Sequence, residues 1–186
     1  MVTYVCLLRG INNVGSRRVK MGDLRALFAA EGAEGARTYL QSGNIVFRHR
    51  HQPARALAAK IEAAIDAEFG FATAAILRTA PELRAALAAN PFARRSGLDN
   101  SRLLVTFLDA RPQSRALQRT AAMQYAPDEF VIVGREIYAY MPNGVANAQL
   151  PWSNLAKLLG QTGTARNWNT VTALAALAAE IEIAAR

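Results

Sequence analysis

The sequence predicts an α+β fold made of two ferredoxin-like halves packed as one compact unit. Three observations carry that expectation. Residues 3–78 alternate apolar, β-branched runs with helical periodicity in the order strand, helix, strand, strand, helix, strand, which is the split βαβ pattern. Residues 101–159 give strand, helix, strand, strand, helix. Each half also carries a glycine turn between two adjacent strand-like runs, at Ser42-Gly43 and at Gly134-Arg135. The expected organisation is 1–79 as the first half, 80–100 as a helical connector, and 101–186 as the second half with a C-terminal helix.

Thr3 to Leu8 (TYVCLL) is β-branched and apolar, as suits a short buried strand, and Gly10 ends it. From Met21 the residues Met21, Leu24, Leu27 and Phe28 recur at helical spacing, and Gly32 provides the stop. Ala36–Gln41 and Asn44–Arg48 form a hairpin, with Gly43 free to take the backbone conformation a tight turn needs. Pro53 opens a second helix whose Leu57, Ile61, Ile65 and Phe69 stand four apart on one face. Ala72–Arg78 reads as a strand. A helix from Pro81 to about Ala89 and the loop Asn90–Gly97 make the connector, since Pro91 cannot continue a helix. Ser101–Leu108 is then a strand and Pro112–Met123 a helix. Glu129–Val133 and Glu136–Met141 form a second hairpin, and Pro151–Leu159 is a helix ended by Gly160. The last helix, Thr170 to about Ala184, puts Val171, Leu174, Leu177 and Ile181 on one stripe within an alanine-rich, helix-favouring segment.

With 186 residues, 52% of them hydrophobic, the chain can fill a continuous core. Arg9, Lys20 and Arg25 interrupt the N-terminal region, so no run approaches the roughly 20 apolar residues of a membrane span, and no signal-peptide core is present. Cys6 is the single cysteine, which excludes an internal disulfide and fits a cytoplasmic protein. The net charge of +8 invites an anionic partner, yet it comes from 19 Arg and 3 Lys scattered along the chain, with Arg17-Arg18 and Arg94-Arg95 as the only doublets.

Five stretches carry a family likeness: Leu7-Leu8-Arg9-Gly10-Ile11-Asn12, the hairpin Thr38–Phe47 (TYLQSGNIVF), Asn90-Pro91-Phe92, Glu136-Ile137-Tyr138, and Arg166–Val171 (RNWNTV). Together they resemble a bacterial family known as domain of unknown function 1697, over about Tyr4 to Leu177. The resemblance implies an α+β fold with two ferredoxin-like parts and implies no reaction. The family more often continues RGIN with Val-Gly-Gly, whereas here Asn13 precedes Val14 and Ser16 follows Gly15.

Candidate site residues fall in three places. Gly10 and Gly15 have the glycine spacing of a phosphate-binding P-loop, but Ser16 and Arg17 stand where Lys and then Ser or Thr are required. The helical pattern also starts too late, at Met21, so a connecting loop is the simpler account; Arg9, Gly10 and Asn12 remain as one wall of a candidate site. The hairpin turn supplies Gln41, Ser42 and Asn44, a polar set that a turn also explains by local backbone bonding. The third place is Arg166, Asn167, Asn169 and Thr170. Asn169 or Thr170 would cap the last helix, whose amides with the Arg166 fork could hold a carboxylate or phosphate; alternatively Trp168 is core, Asn167 and Asn169 bond to backbone, and Arg166 pairs with an acid such as Glu136.

Standard catalytic chemistry has little support. His49 and His51, in a charged loop after the hairpin, alternate and so point apart; no metal-binding pattern and no cofactor motif is present, and Asp128-Glu129 reads as a solvated turn. Cys6 lies among apolar neighbours as an inert thiol. The residues lean towards a binding protein for an anionic ligand, either nucleic acid or a phosphorylated or carboxylated metabolite. The alternative is a metal-independent enzyme acting on a small metabolite in a cleft between the halves. No membrane association is expected, and the oligomeric state is not readable from the sequence.

Overall fold

The computed structural model describes residues 1–12, 17–121 and 123–185. Among them lie two four-stranded antiparallel sheets and six α-helices. The first sheet and its helices run β1 (Val2–Leu8), α1 (Met21–Ala30), β2 (Glu34–Tyr39), β3 (Asn44–His49), α2 (Ala54–Phe69) and β4 (Ala75–Thr79), and α3 (Ala80–Ala88) follows directly. The second group runs β5 (Leu103–Leu108), α4 (Ser114–Ala121), β6 (Glu129–Val133), β7 (Glu136–Tyr140), α5 (Leu155–Leu158), β8 (Gly163–Asn167) and α6 (Trp168–Ile183). The chain divides into two compact units: Met1–Arg84 with Ala173–Arg186, and Ala85–Thr172. α6 starts in the second unit and continues in the first, where Glu180 meets Arg37 at 2.9 Å and Glu182 meets Arg84 at 2.8 Å. Both ion pairs are solvent-exposed and contribute little on their own.

The strand orders are β2-β3-β1-β4 and β6-β7-β5-β8, so β1 and β5 are hydrogen-bonded on both sides. Their composition suits that position. Thr3 to Leu8 are buried without interruption, and β5 buries all but Leu104, because a strand covered on both faces needs a continuous apolar run. The edge strand β2 is different. β2 (EGARTY) is polar, half exposed and broken by a bulge between Glu34 and Arg37, where Gly35 has φ +61°.

In the first unit alternate β1 residues Tyr4, Cys6 and Leu8 join Ile45 and Phe47 of β3 beneath the apolar faces of α1 and α2. The Phe28 ring meets Phe47 edge-on at 5.1 Å. Leu57, Ile61 and Ile65, four residues apart, are all buried there, each stabilising the unit by about 1.5–3 kcal/mol. The second unit packs Ile137, Ala139 and Met141 with Leu108, Leu155 and Leu159. Tyr138, fully buried, donates its hydroxyl to the Ala86 carbonyl at 2.6 Å.

Several sequence expectations are corrected. Pro151–Leu159 does not form one helix; its first residues bend, with Asn154 N–H bonded to Pro151 O at 2.8 Å, and only the turn Leu155–Leu158 is α-helical. The segment after it is a strand, β8, although it is short and polar. It forms because β5 offers a free edge, pairing Leu108 with Gly163 through to Leu104 with Asn167. His49 is not in a loop: it closes β3, is buried, and bonds the carbonyls of Arg50 and Glu31 at 2.8 and 3.2 Å. Asp128 is not solvated either. Its buried carboxylate accepts the amides of Gln149 and Leu150 at 2.6 and 2.9 Å, while exposed Glu129 takes a forked pair of bonds from Arg95. A 3-10 turn, Asn100–Arg102, precedes β5 and is capped by Asp99; hydrogen bonds from Ser101, with Arg102 adding, hold that carboxyl below its ordinary value.

A tight constraint lies at Gly43. Its φ is +73°, and a Cβ there would lie 2.8 Å from both Leu8 Cβ and Ile11 Cγ1. Gly35, at φ +61°, has open space around it. Gly43→Ala is therefore expected to cost about 3 kcal/mol, from backbone strain plus overpacking, and Gly35→Ala about 1 kcal/mol from strain alone. Urea unfolding of the two variants checks this, and equal losses would contradict it.

Candidate functional site

β1 leaves its sheet at Leu8. The Leu8 amide donates to Gly43 O at 2.8 Å, and the Arg9 amide donates to Ala74 O at 2.9 Å. Thr73 donates its hydroxyl to Arg9 O at 2.8 Å. The backbone of Arg9 is thus anchored to the β4 side, while its side chain is exposed. Ile11 then turns inward and is buried against the first core.

Asn12 fastens this exit. It holds φ +53°, a left-handed conformation that Asn tolerates better than most residues. Its Oδ1 accepts from Val19 N–H at 2.8 Å, and its Nδ2 donates to Val19 O at 2.8 Å and to Gln41 O at 2.9 Å. The exit loop, the start of the segment into α1 and the hairpin turn are joined through this one amide. Asn12 and Gln41, which the sequence left as separate candidates, are therefore in contact, through the Gln41 carbonyl. The Gln41 side chain is exposed.

Within the turn, buried Asn44 donates to Tyr39 O at 3.0 Å and to Ser42 Oγ at 2.9 Å. These bonds stabilise the turn itself. Arg17, which sequence reasoning passed over as a ligand residue, comes back to this mouth. Its guanidinium lies 5.9 Å from the centroid of Phe71, and its Nη1 stands 3.7 Å from the position a Cβ would take on Gly10. Arg9, Arg17 and Arg18 are all exposed, and none has an acid partner among the described residues. Asn13, Val14, Gly15 and Ser16, which carry the second glycine of the P-loop-like spacing, lie outside the described residues.

In the RNWNTV stretch Asn167 bonds to backbone, as the structural alternative expects, but the cap of the last helix differs from the expectation. Arg166 and Asn167 end β8, and α6 begins at once with Trp168. Arg166 is buried, and its Nη1 donates to Thr164 Oγ1 and to Ala165 O, both at 2.8 Å. The cap is Asn167, not Asn169 or Thr170: Asn167 Oδ1 accepts from the Thr170 amide at 2.8 Å. That amide is consequently occupied. Asn169 is exposed and Trp168 only half-buried.

Asn90-Pro91-Phe92 is also structural. Asn90 Oδ1 accepts from Phe92 N–H at 2.9 Å, and the buried Phe92 ring lies between Tyr140, at 6.2 Å, and the Arg95 guanidinium, at 5.5 Å. Among the described residues no three His, Cys, Asp or Glu side chains come together as a metal site would require, and no helix is long and apolar enough to cross a membrane.

This is a protein of mixed helices and antiparallel sheets with a basic, polar mouth at the first central strand. Residues 1–138 match the family described as "Protein of unknown function (DUF1697)", and the chain belongs to that family. The matched stretch contains the LLRGIN exit, the hairpin, Asn90-Pro91-Phe92 and Glu136-Ile137-Tyr138, whereas RNWNTV lies beyond it. The chain is also similar to a solved structure, the conserved bacterial protein SP0830 from Streptococcus pneumoniae. The two are 21% identical with a TM-score of 0.72, covering 96% of this chain and 98% of that one. That degree of identity speaks for the fold alone. No curated protein matches.

Two sets of variants test the geometry. Asn12→Ala is expected to lose about 2–3 kcal/mol, from its hydrogen bonds and the strained φ, and Asn12→Gly about 1 kcal/mol less because the strain is relieved. Asn167→Ala should lose about 1 kcal/mol as a lost helix cap, with Asn169→Ala within about 0.5 kcal/mol of the parent. Thermal melting measured in parallel decides both orders.

Proposed function

We propose that this protein binds an anionic ligand, through a phosphate or carboxylate group, at the exit of β1. The observation that carries the reading is the set of exposed arginines Arg9, Arg17 and Arg18, without acid partners among the described residues, beside the loop that Asn12 clamps to Gln41. Guanidinium forks suit an oxyanion because two parallel N–H bonds match two oxygens. Gly10 keeps the backbone bare there, and Gln41 and Ser42 add polar groups at the rim. Asn12 and Asn44 serve as positioning residues, since their amides already bind backbone or turn atoms. Buried Arg166 and the capped start of α6 are left out of the site for the reasons above.

The ferredoxin-like reading of each half belongs to the same proposal. It is supported by the element order β1 α1 β2 β3 α2 β4 with strand order β2-β3-β1-β4, and by the matching order in the second sheet. A cytoplasmic location is supported by the single, buried Cys6.

Equilibrium binding of a single-stranded oligonucleotide and of a small phosphorylated metabolite, each at several salt concentrations, tests the proposal. Affinity should fall as salt rises, and the double variant Arg9→Ala, Arg17→Ala should weaken binding by about tenfold or more with its melting temperature unchanged. An oligonucleotide preference would identify a nucleic-acid partner, and a metabolite preference a small ligand. The absence of any binding at low salt would rule the reading out.

A further inference from the structure

A second basic surface lies in the unit Ala85–Thr172, on elements the site above does not use. Between the end of α4 and the short α5 there is an open cavity of about 550 Å³, lined by Arg119, Asn154, Lys157, Leu158 and Gly160. Its size is that of a small-molecule site rather than of a bare ion. In the first unit the element at the corresponding place in chain order is the 16-residue α2; here α5 has 4 residues, and the cavity opens beside it.

The cavity lining carries two cations and no acid; Asp109, bonded to the Thr162 and Ala110 amides at 3.0 Å each, borders it. Residues 110–127, which include α4, contain no Asp or Glu, and neither do residues 137–179, which include α5. Arg115 and Arg119, four apart, share one face of α4, and both are exposed, as is Lys157. None of the three has an ion-pair partner among the described residues. Like charges at this spacing repel, so the arrangement costs the free protein stability that a bound anion would restore. The walls are not uniformly charged, however. Leu158 is 41% exposed and adds an apolar surface, and Asn154 offers both amide donors and an acceptor.

We propose that this cavity binds a small organic phosphate, with the phosphate between Arg119 and Lys157 and an apolar, hydrogen-bonding body against Leu158 and Asn154. The two cations supply the charge-assisted bonds a phosphate monoester takes. Leu158 and Asn154 give a reason for a body beyond the phosphate, which inorganic phosphate lacks. This site is independent of the β1 exit.

Isothermal titration of the full chain at low salt with adenosine 5′-monophosphate, inorganic phosphate and adenosine provides the test. The monophosphate should bind at least tenfold more tightly than inorganic phosphate, adenosine should give no measurable heat, and added salt should weaken binding. Arg119→Gln and Lys157→Gln should each weaken the monophosphate by about tenfold. Both side chains are exposed, so these variants should melt with the parent. In the Arg9→Ala, Arg17→Ala variant, the part of the monophosphate binding that Arg119→Gln removes should persist. No binding of the monophosphate, or binding unchanged by Arg119→Gln with Lys157→Gln, overturns the proposal. Loss through Arg9 and Arg17 alone would also overturn it while leaving the β1-exit reading intact.

Discussion

Where β1 leaves its sheet, the Gly43 backbone lies so close to Leu8 and Ile11 that a methyl group has no room. The exit loop and the hairpin turn are therefore one structure, since neither can move without the other. Asn12 completes the junction by bonding Val19 on one side and Gln41 on the other. A rigid seat of this kind matters for exposed arginines. Long cationic side chains lose conformational freedom on binding, and the cost is smaller when the backbone carrying them is already ordered.

The two units solve the same packing problem with different economy. Each places an apolar strand at the centre of four and covers one face with helices. In the first unit α1 and α2 supply large buried side chains, among them Phe28, Leu57, Ile61 and Ile65. In the second, α4 buries Ala116 and Thr120, and α5 contributes a single turn. Less helix over the sheet leaves concave surface near α5. Arg119 of α4, which would be an ordinary solvated charge on a flat face, there lines a cavity.

Residues that carry the family likeness turn out to be largely architectural. Asn44 ties its own turn, Asn90 starts the turn that seats Phe92, Tyr138 fixes the end of α3, and Asn167 caps α6. The polar members of these motifs looked like ligand groups because Asn and Ser make the same hydrogen bonds to backbone as to a ligand. Arg17 gave the opposite impression. In the sequence it is half of a surface doublet; its approach to Phe71, 54 positions later, depends on chain folding that no local pattern reports.

The amino-acid sequence by itself determined the elements whose side chains face a core: β1, α1, the two hairpins, α2 and the apolar stripe of α6, because burial imposes a period of two or 3.6 on apolar residues. It also set the turn at Gly43, where glycine takes the positive φ a tight turn needs; the close approach to the Leu8 and Ile11 side chains came with the fold. Tertiary structure alone decided β8, which is polar and exists because β5 had an unpaired edge, and it decided that Asp128 and His49 are buried. It likewise decided which arginines are exposed without partners and which, like Arg166, are spent within the protein. Strand pairing joins backbones and ion pairing joins distant charges, so neither leaves a period in the chain.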